Sequence, residues 1–488
     1  MRPFFTTLVL LTGCGGPSGN NSPNRPVSGD PIVVLDDYGG SSFAELLEVR
    51  TWGDRIAFCS GVQGLNLYDA EDAEDLVFLD KVSFANSSFS YPRCQHLAID
   101  EDREWIYVSA HADRMAPQPW IEVFDASSPT DLVSKWSGTF DENLEGMEVH
   151  GDLLVVAAHA SGVLVFETSS DGSVEQIGQI SVGLDNPWSV RSGPGDLVYV
   201  ANGASGIAVL DLAQPAAPVL LTTLELEGTA KQLDIDGDRM FVALGSAGVG
   251  LVSIEDPRAP TLIEIEDTPG SALAVGFGAS AEAVFVSDWN DLRVFDLQGR
   301  DDLVLAGREP LSFGSGATTR SLGLAARDDV MFSSNWTEMV SYRYDPDVTA
   351  PDLFVTPDRL GLPDTAAGEM TWNVVSVQNH GTRTLSFDSV RASARLEVSD
   401  VPESLAPGER ASVRIEWTPS NETAFNGDVT FKTDDPDQPD LVIGVFGNGA
   451  GITIGDTVSG LVFPTLDGGT LALDEHDGPV LLAYFATF

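Results

Sequence analysis

The chain reads as an all-β protein: a seven-bladed β-propeller of four-stranded blades, followed by a β-sandwich. Three observations predict this. One strand unit recurs seven times along the first 345 residues. The 488 residues include 48 Gly and 28 Pro, a turn-rich composition that suits many short strands. Beyond residue 351 short strands continue, with turn signals every ~8–12 residues, but the unit is gone.

The first element is an address. Arg2 precedes an apolar run, Phe4 to Leu11, and then Leu11-Thr12-Gly13-Cys14. The run is too short for the ~20 apolar residues that span a bilayer, and it has the size of a signal-peptide core. The tetrad resembles the bacterial lipobox. That resemblance makes 1–13 a signal peptide and Cys14 the acylated mature N-terminus. Residues 14–30, rich in Gly, Ser, Asn and Pro, form a tether that builds no core. The expected location is the cell envelope. Gly15 after the Cys points to the outer membrane by resemblance to enterobacterial sorting.

The repeat occupies 31–346. Each unit turns on an acid, at Asp54, Glu104, Asp152, Asp196, Asp238, Glu282 and Asp329, spaced 42–50 residues apart. An apolar strand follows each acid, among them RIAFCS, WIYVSA, LVYVAN and AVFVSD. Third strands alternate and close on an acid with Pro shortly after, as in Asp125 to Pro129 and Asp211 to Pro215. There the carboxylate can accept the turn's own N–H groups. Four strands per ~40–45 residues is the period of a propeller blade. Blade seven lacks a fourth strand, and a spare one, Pro31–Leu35, precedes blade one. An open ring would leave two strand edges bare, so this strand is expected to complete blade seven in 3+1 closure. Strings such as DLVYVANGASGIAVLDLAQPAAPVLL (196–221) resemble the LVIVD-repeat propellers.

Two further modules are expected. Residues 351–449 carry a sandwich pattern. Asn379-His380-Gly381, Pro407-Gly408, Trp417-Thr418-Pro419 and Gly447-Asn448-Gly449 resemble immunoglobulin-like domains of the choice-of-anchor and cilia-associated type. Residues 452–488 resemble the opening of a thioredoxin- or redoxin-like domain, through Gly455-Asp456, Phe463 to Gly468 and the strand Val480–Phe485. In that family a Cys-x-x-Cys follows; here the sequence reaches Phe488 with no redox Cys.

Composition narrows function. With 26 Lys+Arg against 74 Asp+Glu, the net charge is −48 and the pI near 4.1, a field that repels nucleic acid. No Ser/His/Asp nucleophile motif, phosphate-binding Gly loop or metalloprotease helix is present. No cofactor is expected. Candidate contacts gather on one rim, where second-to-third loops and blade-to-blade connections meet. Seven residues past each turn acid stand Gly61, His111, His159, Gly203, Gly245, Trp289 and Trp336. Glu48, His96, Glu145, Trp188, Lys231 and Arg320 open their blades. His96, His111 and His159 have the donor chemistry for a divalent metal; ordinary rim hydrogen bonding is the simpler reading. Cys59 and Cys94 fall on neighbouring blades, either as a disulfide or as two separate small core residues. Asp234-Ile235-Asp236-Gly237-Asp238 reads as a hairpin turn rather than a calcium loop. The expected function is a lipid-anchored, non-enzymatic scaffold that meets a protein or small ligand at this rim. The alternative is an anchored thiol–disulfide or peroxiredoxin-like enzyme with its catalytic Cys beyond Phe488.

Overall fold

The computed structural model describes residues 31–39, 46–61, 63–82, 93–110, 118–311, 320–336 and 338–448, and the short strands Val462–Pro464 and Thr470–Ala472. The signal peptide, Cys14, the tether, His111 and nearly all of the 452–488 segment lie outside the described residues.

Seven four-stranded sheets form the propeller. In blades one to six, four consecutive strands follow one another as an antiparallel meander. The seven first strands are Leu46–Trp52, His96–Asp100, Met147–His150, Ser189–Ser192, Gln232–Asp236, Ala272–Gly278 and Ser321–Arg327. Each touches the first strand of the next blade, and the seventh touches that of the first, so together they line a central channel.

Closure is by the N-terminal strand, as the sequence predicts. Ile32–Gly39 pairs antiparallel with Glu338–Tyr344, Ile32 opposite Tyr344 and Gly39 opposite Glu338. The strand runs four residues past Leu35, because a register shift between Val34 and Asp36 lets pairing resume. Ser341 Oγ accepts the Asp36 N–H there, at 3.1 Å. Ile32 is 2 % exposed and joins a core with Phe285, Val294 and Tyr342, which ties blade seven to blade six.

Second strands explain the unbroken apolar runs. Trp105–Ala110 and Ala283–Asp288 are buried along their full lengths, because neighbouring blades cover both faces. Fourth strands form the outer wall; that of blade one, Val77–Val82, is exposed or half-buried, while that of blade six, Asp302–Pro310, buries Leu303, Ala306 and Arg308. In blades one to six a register shift falls between the third and fourth strands, as at Val209/Leu210 and Leu251/Val252. Such bulges add local twist, which a propeller blade needs. The acid-closed turns form as expected: Asp69, Asp125 and Asp211 each accept an N–H two residues on, at 2.9–3.0 Å.

Beyond the propeller two sheets face each other. One orders Leu353–Thr356, Thr371–Asn379, Arg410–Trp417 and Leu396–Ser399. The other orders Arg359–Gly361, Asp440–Gly447, Phe425–Thr433, Leu385–Ala392 and Ser404–Leu405. Arg410–Trp417 alternates strictly, sending Val413, Ile415 and Trp417 inward against Val429, Phe431, Ile443 and Val445. Each such side chain contributes about 1.5–3 kcal/mol on burial.

Candidate binding rim of the propeller

The rim is built on a repeated backbone device. At the position seven residues past the turn acid the chain is left-handed in every described blade: Gly61 (φ 43°), His159 (46°), Gly203 (63°), Gly245 (61°), Trp289 (62°) and Trp336 (41°). The bend lets this residue hook the start of the next blade. Gly61 O accepts the Cys94 N–H, Gly203 O that of Ala230, Gly245 O that of Ala272 and Trp289 O that of Ser321, at 2.8–2.9 Å. On blade one the hook carries a covalent link, since Cys59 and Cys94 are joined in a disulfide across the blade boundary. Closing a loop of 35 residues limits the unfolded chain by roughly 3–4 kcal/mol in the chain-entropy account.

The hook places side chains over the channel mouth. His96 Nδ1 lies 2.9 Å from Glu48 Oε2, and His96 Nε2 lies 3.2 Å from Glu145 Oε2. His159 Nε2 lies 2.6 Å from the other Glu145 oxygen. Arg50, one turn of the pleat deeper, closes on Glu48 Oε1 at 2.6 Å. The edge of Trp188 meets the His159 ring at 4.6 Å and 82°, and Lys231 Nζ stands 3.3 Å from the Trp188 ring centre. Across the mouth, Arg320 lies 4.7 Å from the Trp289 ring and 5.9 Å from the Trp336 ring. Thus His96, His159, Trp188, Trp289, Trp336 and Arg320 all face one rim, joined by Glu48, Glu145 and Lys231.

Charge follows from this packing. Burial alone would depress the His96 imidazole, but hydrogen bonds to Glu145 and Glu48 and their charges outweigh it and raise it from 6.5 to about 10. Burial alone would raise Glu48; Arg50 and His96 outweigh it and hold the carboxyl at about 2. Burial lowers Lys231. The mouth therefore holds a fixed imidazolium between carboxylates. Beside it a cavity of about 410 Å³ opens against His159, Phe140, Asp141 and Glu142.

Of the three histidines expected as metal donors, His111 lies outside the described residues. Both His96 nitrogens are engaged by carboxylates, and His159 turns its Nε2 to Glu145. Among the described residues, the side chains close enough to share one ion are Asp352, Asp435 and Asp437, far from the rim in sequence and set in the sandwich. Protein groups already meet these carboxylates. Arg308 reaches Asp352 at 2.5 and 2.9 Å, and Asp435 accepts the Leu353, Asp437 and Gln438 N–H groups at 2.7–3.1 Å. No cofactor is established.

The trio belongs to a joint that the sequence reading missed. Arg293 is 1 % exposed and binds Asp288 (2.8 Å), Asp291 (2.9 Å) and His380 Nδ1 (3.2 Å). His380 stacks on Phe354 at 4.5 Å, and Arg308 also donates to Leu353 O. Blade six and the sandwich thus share one buried charge cluster. Its sequence signal is a pair of arginines at buried positions of the blade-six strands DLRVFDLQ and DLVLAGREP.

No protein-family model and no curated protein matches the chain. Among solved structures, the β-propeller domain of Cps50 (Swd1) from Myceliophteria thermophila matches with a TM-score of 0.51 at 12 % identity, over 64 % of this chain and 100 % of that one. The likeness carries the fold. The class is therefore a β-propeller protein with a β-sandwich behind it.

Proposed function

We propose that the protein is a non-enzymatic binding scaffold, held at a cell-envelope membrane through lipidated Cys14, whose partner docks on the propeller rim. One observation carries the rim assignment. Blades one, four and five place glycine at the left-handed hook, where it is free of strain, while blades three, six and seven place His159, Trp289 and Trp336 in the same conformation. A bulky residue there costs of order 1–3 kcal/mol, and the hook forms equally well with glycine. Strain of this kind collects where a side chain is needed outside the fold. The aromatic and cationic faces it displays suit a protein or small ligand, and the propeller fold is compatible with such a scaffold.

Two measurements test this. In the full chain, Cys14→Ala should move the protein to the soluble fraction and abolish palmitate labelling; retention at the membrane without label would overturn the anchor. The combined variant His159→Gly, Trp289→Gly and Trp336→Gly should fold normally and lose the partner that cross-links to the wild type. Undiminished cross-linking to that partner would remove the rim from the account.

A further inference from the structure

Farther along the first strands from the mouth lies a second cavity, of about 380 Å³, lined by none of the rim residues described above. Its wall is uneven. Blades two, six and seven contribute the small groups Ala98, Gly276 and Ala326, and blade two also sets the exposed Glu101 at the cavity's edge. Blades one, three, four and five contribute Arg50, Glu148, Arg191 and Asp234. The small residues make the space, and the charged ones face it.

The two arginines are under-used. Arg50 spends one terminal nitrogen on Glu48, while its Nε is buried without a hydrogen-bond partner. Arg191 spends Nη1 on the Val190 carbonyl (3.2 Å) and, at 3.5 Å, on Glu148. A guanidinium has five N–H donors in a planar fork. Those of Arg191 beyond Nη1 make no hydrogen bond among the described residues. Burial and the like charge of Arg50 work against the Arg191 cation, and Arg50 repels it in spite of Glu148, Asp234 and Glu48. Asp234 is already satisfied by the Phe277 and Ile235 N–H groups, at 2.7 and 3.0 Å, so its carboxylate offers less to an incoming cation.

We propose that this cavity binds a small dianion, a dicarboxylate or a phosphate, held between the free guanidinium donors of Arg50 and Arg191. Charge-assisted forks of this kind match planar or tetrahedral oxyanions. The protein carries a net charge of −48 and repels anions at its surface, so two arginines turned into a channel with donors to spare stand out against that background.

The experiment is calorimetric titration of the full chain in a chloride-poor, zwitterionic buffer, with succinate, inorganic phosphate and the diamine putrescine as separate probes. Succinate or phosphate should bind with one site per chain, and putrescine should not. Which anion binds more tightly decides between the two sources. Arg191→Gln should weaken binding at least tenfold, and Arg191→Lys, which keeps the charge but not the fork, by less. Asp234→Asn, nearly isosteric, should tighten binding several-fold by removing a nearby negative charge, and it keeps the test valid if the arginine variants fold poorly. Absence of binding by both anions at millimolar concentration would overturn the proposal. So would tighter binding of putrescine, or weaker anion binding in Asp234→Asn.

Discussion

Two histidines sit in two charge clusters of this molecule and are driven in opposite directions. His96, at the channel mouth, lies between Glu48 and Glu145 and is raised to about 10. His380, at the joint between blade six and the sandwich, is depressed to about 3, first by burial and then by the charges of Arg293 and Arg308. The first is a cation that acids hold in place, with a quarter of its side chain still open to solvent. The second is a neutral ring whose Nδ1 faces Arg293 and whose face covers Phe354, and it is 5 % exposed. A part-open network with charge fixed at a mouth suits recognition. A closed network with arginines on Asp288, Asp291 and Asp352 suits a weld.

The sharpest way to break this comparison is to cut the weld. Arg308→Ala leaves Asp352, 7 % exposed, without its bidentate partner. Removing one member of a buried pair costs about 3–5 kcal/mol. Calorimetry should show the sandwich transition moving away from that of the propeller. The corresponding change at the mouth, Glu48→Gln, should cost less, because water reaches His96 and can solvate it. Equal losses would mean that the mouth is a structural weld too.

The pH profile should separate the two sites next. His96 is raised, so its stabilisation is complete below 6.5 and is lost as pH climbs through about 10. His380 is depressed, so the unfolded state binds its proton more readily; its stabilisation is complete above 6.5 and is lost as pH falls toward about 3. Glu48, held at about 2, adds to the acid side as pH falls below 4.5. Melting temperature against pH should therefore lose part of its alkaline decline in His96→Gln and part of its acid decline in His380→Gln. Crossed outcomes would reverse the assignment of the two clusters.

How much of this was legible in the sequence differs between the two regions for a physical reason. Blades repeat because each buries the same apolar second strand, so period, turn acids and the missing fourth strand could be read directly. The hook was legible as a column of equivalent positions, and its two residue classes, Gly against His or Trp, were visible there. The joint was not. Arg293 and His380 are 87 residues apart and meet only because the ring closes and the chain turns back. Arg50 and Arg191 were equally hidden as a pair, although charged residues in first strands such as SVRS and QLDID mark side chains turned toward the channel.

The smallest expected effect probes the hook itself. If glycine is the unstrained residue there, exchange should run both ways. At Gly245, φ is +61° and an added Cβ meets nothing nearer than 3.6 Å, so Gly245→His adds backbone strain with little clash. A left-handed L-residue costs roughly 1–2 kcal/mol, so the melting temperature should fall by a few degrees. His159→Gly should return a similar amount and lose the polar contact with Glu145 and the ring contact with Trp188. Glu145 is 3 % exposed, so leaving one of its oxygens without this partner costs roughly 1–3 kcal/mol, and the two terms nearly cancel, with stability changing little. Binding at the rim should fall in the same variant. A His159→Gly protein less stable than Gly245→His would show that His159 is there to hold blade three to blade four, and the strain at its backbone would then belong to the fold rather than to the partner.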